Sequence, residues 1–352
     1  MTTYPLSTLN ILGGGLCGTV LALRALERGH EVRLFEGGVA GSTTRAAAGL
    51  VNPVTGMRFT KAAGVDDDLP AAIAFYNRWE AIWKRVLWHP LPILRLFKSP
   101  ELREGFNKRR SLDLLAPYAV RMIDPGEDVG PVENPYGGVW IERGGWVDLS
   151  AWLEAARAEL VNRRVWIAQE MDPAEIPDGD TWIDCRGWVP NDTLWQEIPW
   201  KPAHGDILTL RISDVPEDRI FNRGTFLLPL GNSLFRYGST YQWEPASREP
   251  TSEGRRLLLS GFKEWIKRDI LEILDHRAGI RPIVRDQKPV LGRHVRRPGF
   301  WIFNGMGSKG ALWAPGRSEL LLDCINEGKE LPADQNVARF QNSPQTGGRA
   351  KR

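Results

Sequence analysis

The sequence predicts an α/β fold, with an antiparallel, α+β second part inserted into it. Three observations carry that reading. A strand–turn–helix–strand unit fills residues 9–36, the strand and helix alternation breaks off and returns twice, and residues 207–243 alternate apolar with polar positions.

Residues 9–12 (LNIL) read as a short apolar strand running directly into the glycines of GGGLCG. Leu16, Val20 and Leu23 recur at i, i+4 and i+7, the stripe of an amphipathic helix, and Gly29 stands where that helix would stop. The strand VRLFE (32–36) completes one parallel βαβ unit. Residues 37–65 are rich in Gly, Ala, Ser and Thr, too small-sided to fill a core alone. Helical spacing returns over 71–88, with Ala72, Tyr76, Trp79, Trp83 and Val86 on one face and the two tryptophans read as core. Residues 89–136, with many prolines and charges, read as irregular.

Leu149, Leu153, Ala156 and Leu160 mark the next helix, followed by the strand-like VWIAQ (165–169) and TWIDC (181–185). ILTLRI, FLLPL and LFRYG, within 207–243, read as antiparallel strands with one wet face. Leu258, Phe262 and Trp265 lie on a helix, RPGFWIFNG (297–305) ends in a buried strand, and Leu312 to about Ile325 forms the closing helix. From about Asp334 the chain is polar and is expected to be unstructured. The pattern assembles a nucleotide-binding domain from residues 1–65, 145–200 and 278–333. A second domain, 66–144 and 201–277, interrupts it, and 334–352 is left as a tail.

The 352 residues suffice for two domains of about 150 each, and 42% hydrophobic with 25% charged residues excludes a disordered chain. Forty-six Lys and Arg against 43 Asp and Glu lie too near balance to imply a nucleic-acid or membrane partner. No apolar run approaches the ~18 residues of a membrane span, and the first residues lack the basic stretch of a signal peptide. Cys17, Cys185 and Cys324 offer neither a paired framework nor a metal-ligand spacing, and His30, His89, His204, His276 and His294 are scattered; no metal is expected. A reduced, cytoplasmic protein is expected.

Gly13, Gly15 and Gly18 are a GxGxxG set that follows a strand and opens a helix. The first glycine allows the tight turn, the second lets a pyrophosphate approach the backbone, and the third lets helix and strand pack closely. This is the Rossmann-like dinucleotide signature. Phosphates would sit at the helix start, over Gly14, Leu16 and Cys17, with Cys17 no more than a small residue on the helix face. Glu36 ends the second strand, where a carboxylate accepts from ribose hydroxyls and disfavours the 2′-phosphate of NADP. The motif alone does not separate FAD from NAD.

Four further stretches make that separation. S42-T-T-R-A-A-A-G-L-V-N-P53 resembles the second flavin-contact segment of the D-amino-acid oxidase family, which includes glycine and sarcosine oxidases. W182-I-D-C-R-G187 resembles that family's strand and glycine turn beside the adenosine half, G279-I-R-P-I-V-R-D-Q-K-P-V-L-G292 its Gly-x-Arg-Pro segment, and N304-G-M-G-S-K-G-A-L-W-A-P-G316 its closing turn. The resemblance implies an FAD-dependent amine or amino-acid oxidase or dehydrogenase. It implies cofactor contacts at Ser42, Thr43, Thr44, Ala48, Gly49 and Leu50, at Trp166 and Gly187, at Arg281, and at Gly305, Gly307, Ser308, Lys309 and Gly310. Residues 279–286 lack the Cys of the covalently flavinylated relatives, so the FAD should be held non-covalently.

The implied chemistry passes a hydride from the carbon bearing an amine to the flavin, with no acid–base dyad required. Arg281 matches the arginine that takes the substrate carboxylate; the alternative is an arginine paired with a structural acid. Lys309 could add positive charge beside the ring or point to solvent. Tyr241 and Trp243 could roof the pocket or simply pack in the sheet. Arg58 and Lys61 read as a solvated basic edge. The Gly-Ser-Lys-Gly turn also resembles the oxidase domain of the enzyme that matures methylaminomethyl-uridine in tRNA, which leaves tRNA open as a substrate; a flavin-binding protein without turnover is the third reading. A small-molecule amine is the expected partner, with molecular oxygen or a quinone or carrier protein left open as electron acceptor, and no membrane.

Overall fold

The computed structural model describes residues 8–37, 43–108, 111–177, 179–244 and 247–341. Strand β1 (Leu9–Leu12), helix α1 (Leu16–Glu27) and strand β2 (Val32–Phe35) are the expected opening unit, and Gly29 is left-handed at φ +84°. A short turn α2 (Thr43–Ala46) and the two-residue strands β3 (Leu50–Val51), β4 (Val54–Thr55) and β5 (Thr60–Lys61) occupy the small-residue segment.

Helix α3 (Val65–Trp83) begins six residues before its expected start. Gly64 (φ +72°) turns the chain into it, and Asp66, Asp67 and Asp68 complement its positive end. It stops at Trp83 because Lys84 is left-handed (φ +50°). Val86, expected on the buried face, therefore lies beyond the helix and is 63% exposed.

The stretch 89–136 is more ordered than its composition suggested. It holds β6 (Trp88–Pro90), β7 (Ile93–Leu96), α4 (Pro100–Lys108), α5 (Ser111–Leu115) and β8 (Ala119–Ile123), with β9 (Gly138–Ile141) and β10 (Gly145–Val147) just after it. These strands are too short to show a period, and distant partners fix them: Ile93 aligns with both Ile141 and Ile220.

Helix α6 (Leu149–Asn162), β11 (Trp166–Ile167) and β12 (Thr181–Asp184) follow as expected. Next come β13 (Ala203–Arg211), β14 (Ile220–Arg223), β15 (Thr225–Gly231), β16 (Leu234–Gly238), α7 (Ser252–Trp265) and β17 (Glu272–Arg281). The chain closes through β18 (Val290–Arg293), β19 (Phe300–Asn304), α8 (Gly310–Glu327) and α9 (Ala338–Gln341). Residues 334–341, expected in an unstructured tail, are folded on: Asn336 bridges to Leu291 and Val337 is fully buried. One buried valine anchors a stretch whose average polarity hid it.

Two large sheets organise the molecule. The first has the order β11-β2-β1-β12-β19-β18, parallel except for β18, and draws its strands from three distant stretches of chain. Helices α1, α6 and α8 pack together beside it. The second sheet, β17-β13-β16-β15-β14-β7-β9-β8, is antiparallel apart from the β14–β7 pair. One of its faces packs on α7 through Leu208, Phe235, Tyr237 and Phe262. Its other face carries Ile207, Phe226 and Leu228 and joins the main core with Ala48, Val51 and Trp146. The small sheet β3-β10-β6 thus lies against a face that the alternation had marked as wet. No helix among the described residues is long and apolar enough to cross a membrane.

A buried histidine gives the fold an acid sensitivity. Nδ1 of His294 accepts from the backbone N–H groups of Arg296 and Arg297, both at 3.1 Å, and Nε2 donates to the Leu194 carbonyl at 2.9 Å. That pattern requires the neutral ring, and burial followed by the charges of Arg296 and Arg297 lowers its pKa from 6.5. The unfolded chain then takes up this proton at a higher pH than the folded one, so stability is complete above about pH 6.5 and falls on acidification. Wild type should lose roughly 2 °C more in melting temperature than His294→Asn between pH 7.5 and 5.5. Parallel melting curves over that range would refute this.

Candidate cofactor and substrate site

The glycine turn between β1 and α1 is built as a cradle. Gly13 (φ +99°) lies so close to the next strand that a Cβ there would come within 2.9 Å of the Arg186 Cα. A Cβ on Gly18 would overlap the Gly13 carbonyl oxygen, which is the close helix–strand contact the third glycine exists to permit. Helix α6 starts under the Asp148 carboxylate and α7 under the Thr251 hydroxyl. Helix α1 starts at Gly15 with no side-chain cap and no acid in its first turn. Its end therefore keeps a positive potential suited to an anion. Gly14 N donates to Glu36 Oε2 at 2.6 Å, so the carboxylate stands at the turn itself, and the half-buried Trp166 sets its ring edge against Gly14. Burial pushes the Cys17 thiol up to about 12, so it is an inert packing residue.

The small-residue segment is tied to both sheets. The Thr44 hydroxyl accepts from Leu16 N at 3.1 Å, while the Thr43 hydroxyl donates to the Ile280 carbonyl at 2.7 Å, one residue before Arg281. Ala48 is buried, Gly49 (φ +71°) lies against the Val147 carbonyl, and Leu50 pairs with Trp146. Ser42 lies outside the described residues.

The closing turn meets this segment from the other end. Gly305 (φ +76°) and Gly307 (φ +54°) lead into α8, which starts at Lys309 with no side-chain cap, and Gly310 packs on Leu16. The N-termini of α1 and α8 are thus brought side by side, the first with its Leu16 N–H held by Thr44 and the second with no side-chain cap. Ser308 is exposed. Lys309 is half-buried with its Nζ 4.5 Å from the centre of the Trp313 ring; burial, then Lys288, lowers its pKa. The side chain of Asn304, which sequence reading did not single out, links two turns: it donates to the Gly187 carbonyl at 2.7 Å and accepts from Gly305 N at 2.8 Å.

Arg281, at the end of β17, donates to the His204 carbonyl (3.1 Å), the Ser239 hydroxyl (2.7 Å) and the Thr240 carbonyl (3.1 Å). All three acceptors are neutral. Among the described residues no acid pairs with it directly; burial lowers its pKa, and Tyr241 and the nearby Asp206 carboxylate offset part of that. Tyr241 lies under the guanidinium, 5.0 Å from ring centre to Cζ, and meets Trp243 edge-on at 5.0 Å. Both rings are nearly half exposed, so neither is sheet core. Arg58 is exposed, and Lys61 pairs with Asp66 at 3.1 Å.

Residues 9–323 match the family model described as FAD dependent oxidoreductase, the D-amino-acid oxidase or DAO family. The chain belongs to this family. It is 25% identical over 360 residues to the tRNA 5-methylaminomethyl-2-thiouridine biosynthesis bifunctional protein MnmC of Marinobacter nauticus, covering 90% of this chain and 55% of that one. The chain spans about half the length of the curated MnmC relatives it matches. Among solved structures it is similar to glycine oxidase from Geobacillus kaustophilus (TM-score 0.74, 19% identity, 94% of this chain and 97% of that one) and to iminodiacetate oxidase from Chelativorans sp. (TM-score 0.71, 20% identity, 94% and 98%). As a DAO-family member the protein is an FAD-dependent oxidoreductase.

The residues present fit FAD. Gly15 leaves the turn open, Gly13 and Gly18 let strand and helix pack tightly behind it, and the starts of α1 and α8 would present backbone N–H groups to the dinucleotide and ring. One feature of this DAO-family site was not visible beforehand. His204 Nε2 (2.9 Å) and His276 Nε2 (2.8 Å) converge on the fully buried Asp206, which also accepts from Thr251 N at 2.9 Å. Burial would raise the Asp206 pKa, but the Thr251 N–H and the two histidines hold it below the usual carboxylate range. Asp206 N donates to the Thr240 hydroxyl at 2.8 Å, so this node fixes the loop whose carbonyl receives Arg281. Residues 204 and 276 are 72 apart in sequence, and only the β13–β17 register brings them together.

Proposed function

We propose that the protein oxidises the C–N bond of a small amine or amino acid that carries a carboxylate. The observation that carries this reading is Arg281, a positioned guanidinium with neutral partners only, at the edge of a site fit for flavin. Bound FAD would accept hydride at N5 from the carbon bearing the amine, leaving an imine that water hydrolyses.

The chain's own residues supply binding and orientation. Arg281 offers its outward N–H groups to the carboxylate, fixing where the amine carbon stands. Tyr241 and Trp243 flank that position and limit the entry of water. The α8 N-terminus and Lys309 place positive potential where negative charge would build on the ring, and Gly13 to Gly18, Glu36, Thr44, Trp166 and Gly187 hold the remainder non-covalently. In this reading the first large sheet belongs to the cofactor domain and the second to the substrate domain.

The similarity to MnmC favours one alternative, in which the carboxylated amine is a carboxymethylaminomethyl-uridine within tRNA. Against it, Arg297 of the basic stretch 293–297 is engaged with the Pro173 and Ile176 carbonyls, and Arg296 with Glu197. Anaerobic mixing of the yellow protein with glycine, sarcosine, proline, D-amino acids and tRNA bearing that nucleoside tests both. Bleaching by free carboxylated amines is expected. Bleaching by the tRNA alone would replace the first reading with the second, and a colourless protein would remove both.

A further inference from the structure

A second arginine, Arg236, shares a face of the second sheet with Arg281 and makes no ion pair among the described residues. Arg236, on β16, is only 9% exposed, and its Nη1 is shut off from solvent with no hydrogen-bond acceptor among the described residues. No acid among those residues pairs with it. The carboxylates nearest in charge terms, Asp148 and Asp275, are already committed: Asp148 caps α6 and Asp275 pairs with Arg277. Its nearest aromatic neighbour is Trp146, 5.8 Å from ring centre to Cζ. A buried guanidinium with no carboxylate paired to it is costly and is rarely kept without a use.

The register places Arg236 and Arg281 on one face. Arg236 aligns with Thr209 and Gly238 with Ile207, while the Arg281 guanidinium overlies Gly205; residues 205, 207 and 209 alternate onto the same side of β13. That side faces Ala46 and Ala48 of the small-residue segment and Trp146 of β10. Arg281 donates to Ser239, three residues beyond Arg236, which is at most about 11 Å of extended chain. Two arginines that make no ion pair among the described residues therefore lie close together on one face of the second sheet.

We propose that Arg236 is a second anion-binding position of the substrate site, and that the substrate is an amine bearing two carboxylates, one held by Arg281 and the other by Arg236. This rests on the carboxylated-amine reading above and narrows it. A dianion neutralises both arginines at once, whereas a monocarboxylate leaves Arg236 buried and charged.

The test pairs diacids with monoacids of the same shape. Diglycolate and methoxyacetate, which carry no amine, are titrated into the flavoprotein and binding is read from the flavin spectrum. Wild type should bind diglycolate at least 30-fold more tightly, and Arg236→Gln should abolish that preference while leaving methoxyacetate within threefold. Iminodiacetate and sarcosine as substrates should show the same split in KM. Arg236→Met should also melt at a higher temperature than wild type, because it removes a buried unpaired charge. Equal binding of the two acids by wild type, or equal loss of both in Arg236→Gln, would overturn the proposal. If no amine bleaches the flavin, the amine-oxidation reading falls, and the diglycolate titration still decides the role of Arg236 by itself.

Discussion

Replacing Arg281 by Met should lower kcat/KM for a carboxylated amine by about 1000-fold, roughly 4 kcal/mol of lost interaction. The estimate follows from what surrounds the side chain. Its partners are two carbonyls and a hydroxyl, so the variant leaves no buried acid stranded, and the sheet register around Ala203 does not depend on the guanidinium. Folding and flavin content should survive, and the loss should be confined to substrates with a carboxylate. Arg281→Lys should fall between, since it keeps a charge but not the planar fork. The discriminating measurement compares each acid with its amide. Wild type should favour the acid strongly, and Arg281→Met should treat the two alike. An unchanged acid preference in the variant would show that the carboxylate is held elsewhere.

The second large effect is expected from Gly18→Ala. The added methyl would occupy the position of the Gly13 carbonyl oxygen and come within 3.4 Å of the Cys185 Cβ. Relief requires α1 to move away from β1, both of which are buried against the first sheet. The cost is about 3 kcal/mol or more, typical of overpacking against backbone that cannot turn aside. That movement would also displace the α1 N-terminus from the cradle. The variant should purify with less than a tenth of the wild-type flavin-to-protein ratio and melt many degrees lower. A yellow protein with an unchanged melting curve would mean that helix and strand have slack that their packing does not show.

Where residue chemistry repeats locally, the sequence was informative. Leu16, Val20 and Leu23 marked α1 because a helix repeats every 3.6 residues, and the GxGxxG spacing marked its cradle because three separate steric demands fall on three glycines. The Gly-x-Arg-Pro stretch pointed to Arg281 through family resemblance. Sequence could not decide whether an acid would neutralise it, since its partners come from residues 204, 239 and 240. The strands at 88–96 were missed because three or four residues carry no measurable period and take their form from partners as much as 127 residues away.

The face of β13 and β16 shows the same division more sharply. Alternation correctly gave extended strands with two unlike faces, because side chains on a strand point to opposite sides in turn. It also led to the reading of the polar side as wet. In the folded chain that side lies against Ala46, Ala48 and Trp146, and Arg236 is enclosed. Periodicity records which residues share a side and carries no information about what covers it. Whether that cover is water, protein or the wall of a cavity is settled by segments remote in the chain, and so by the tertiary structure alone.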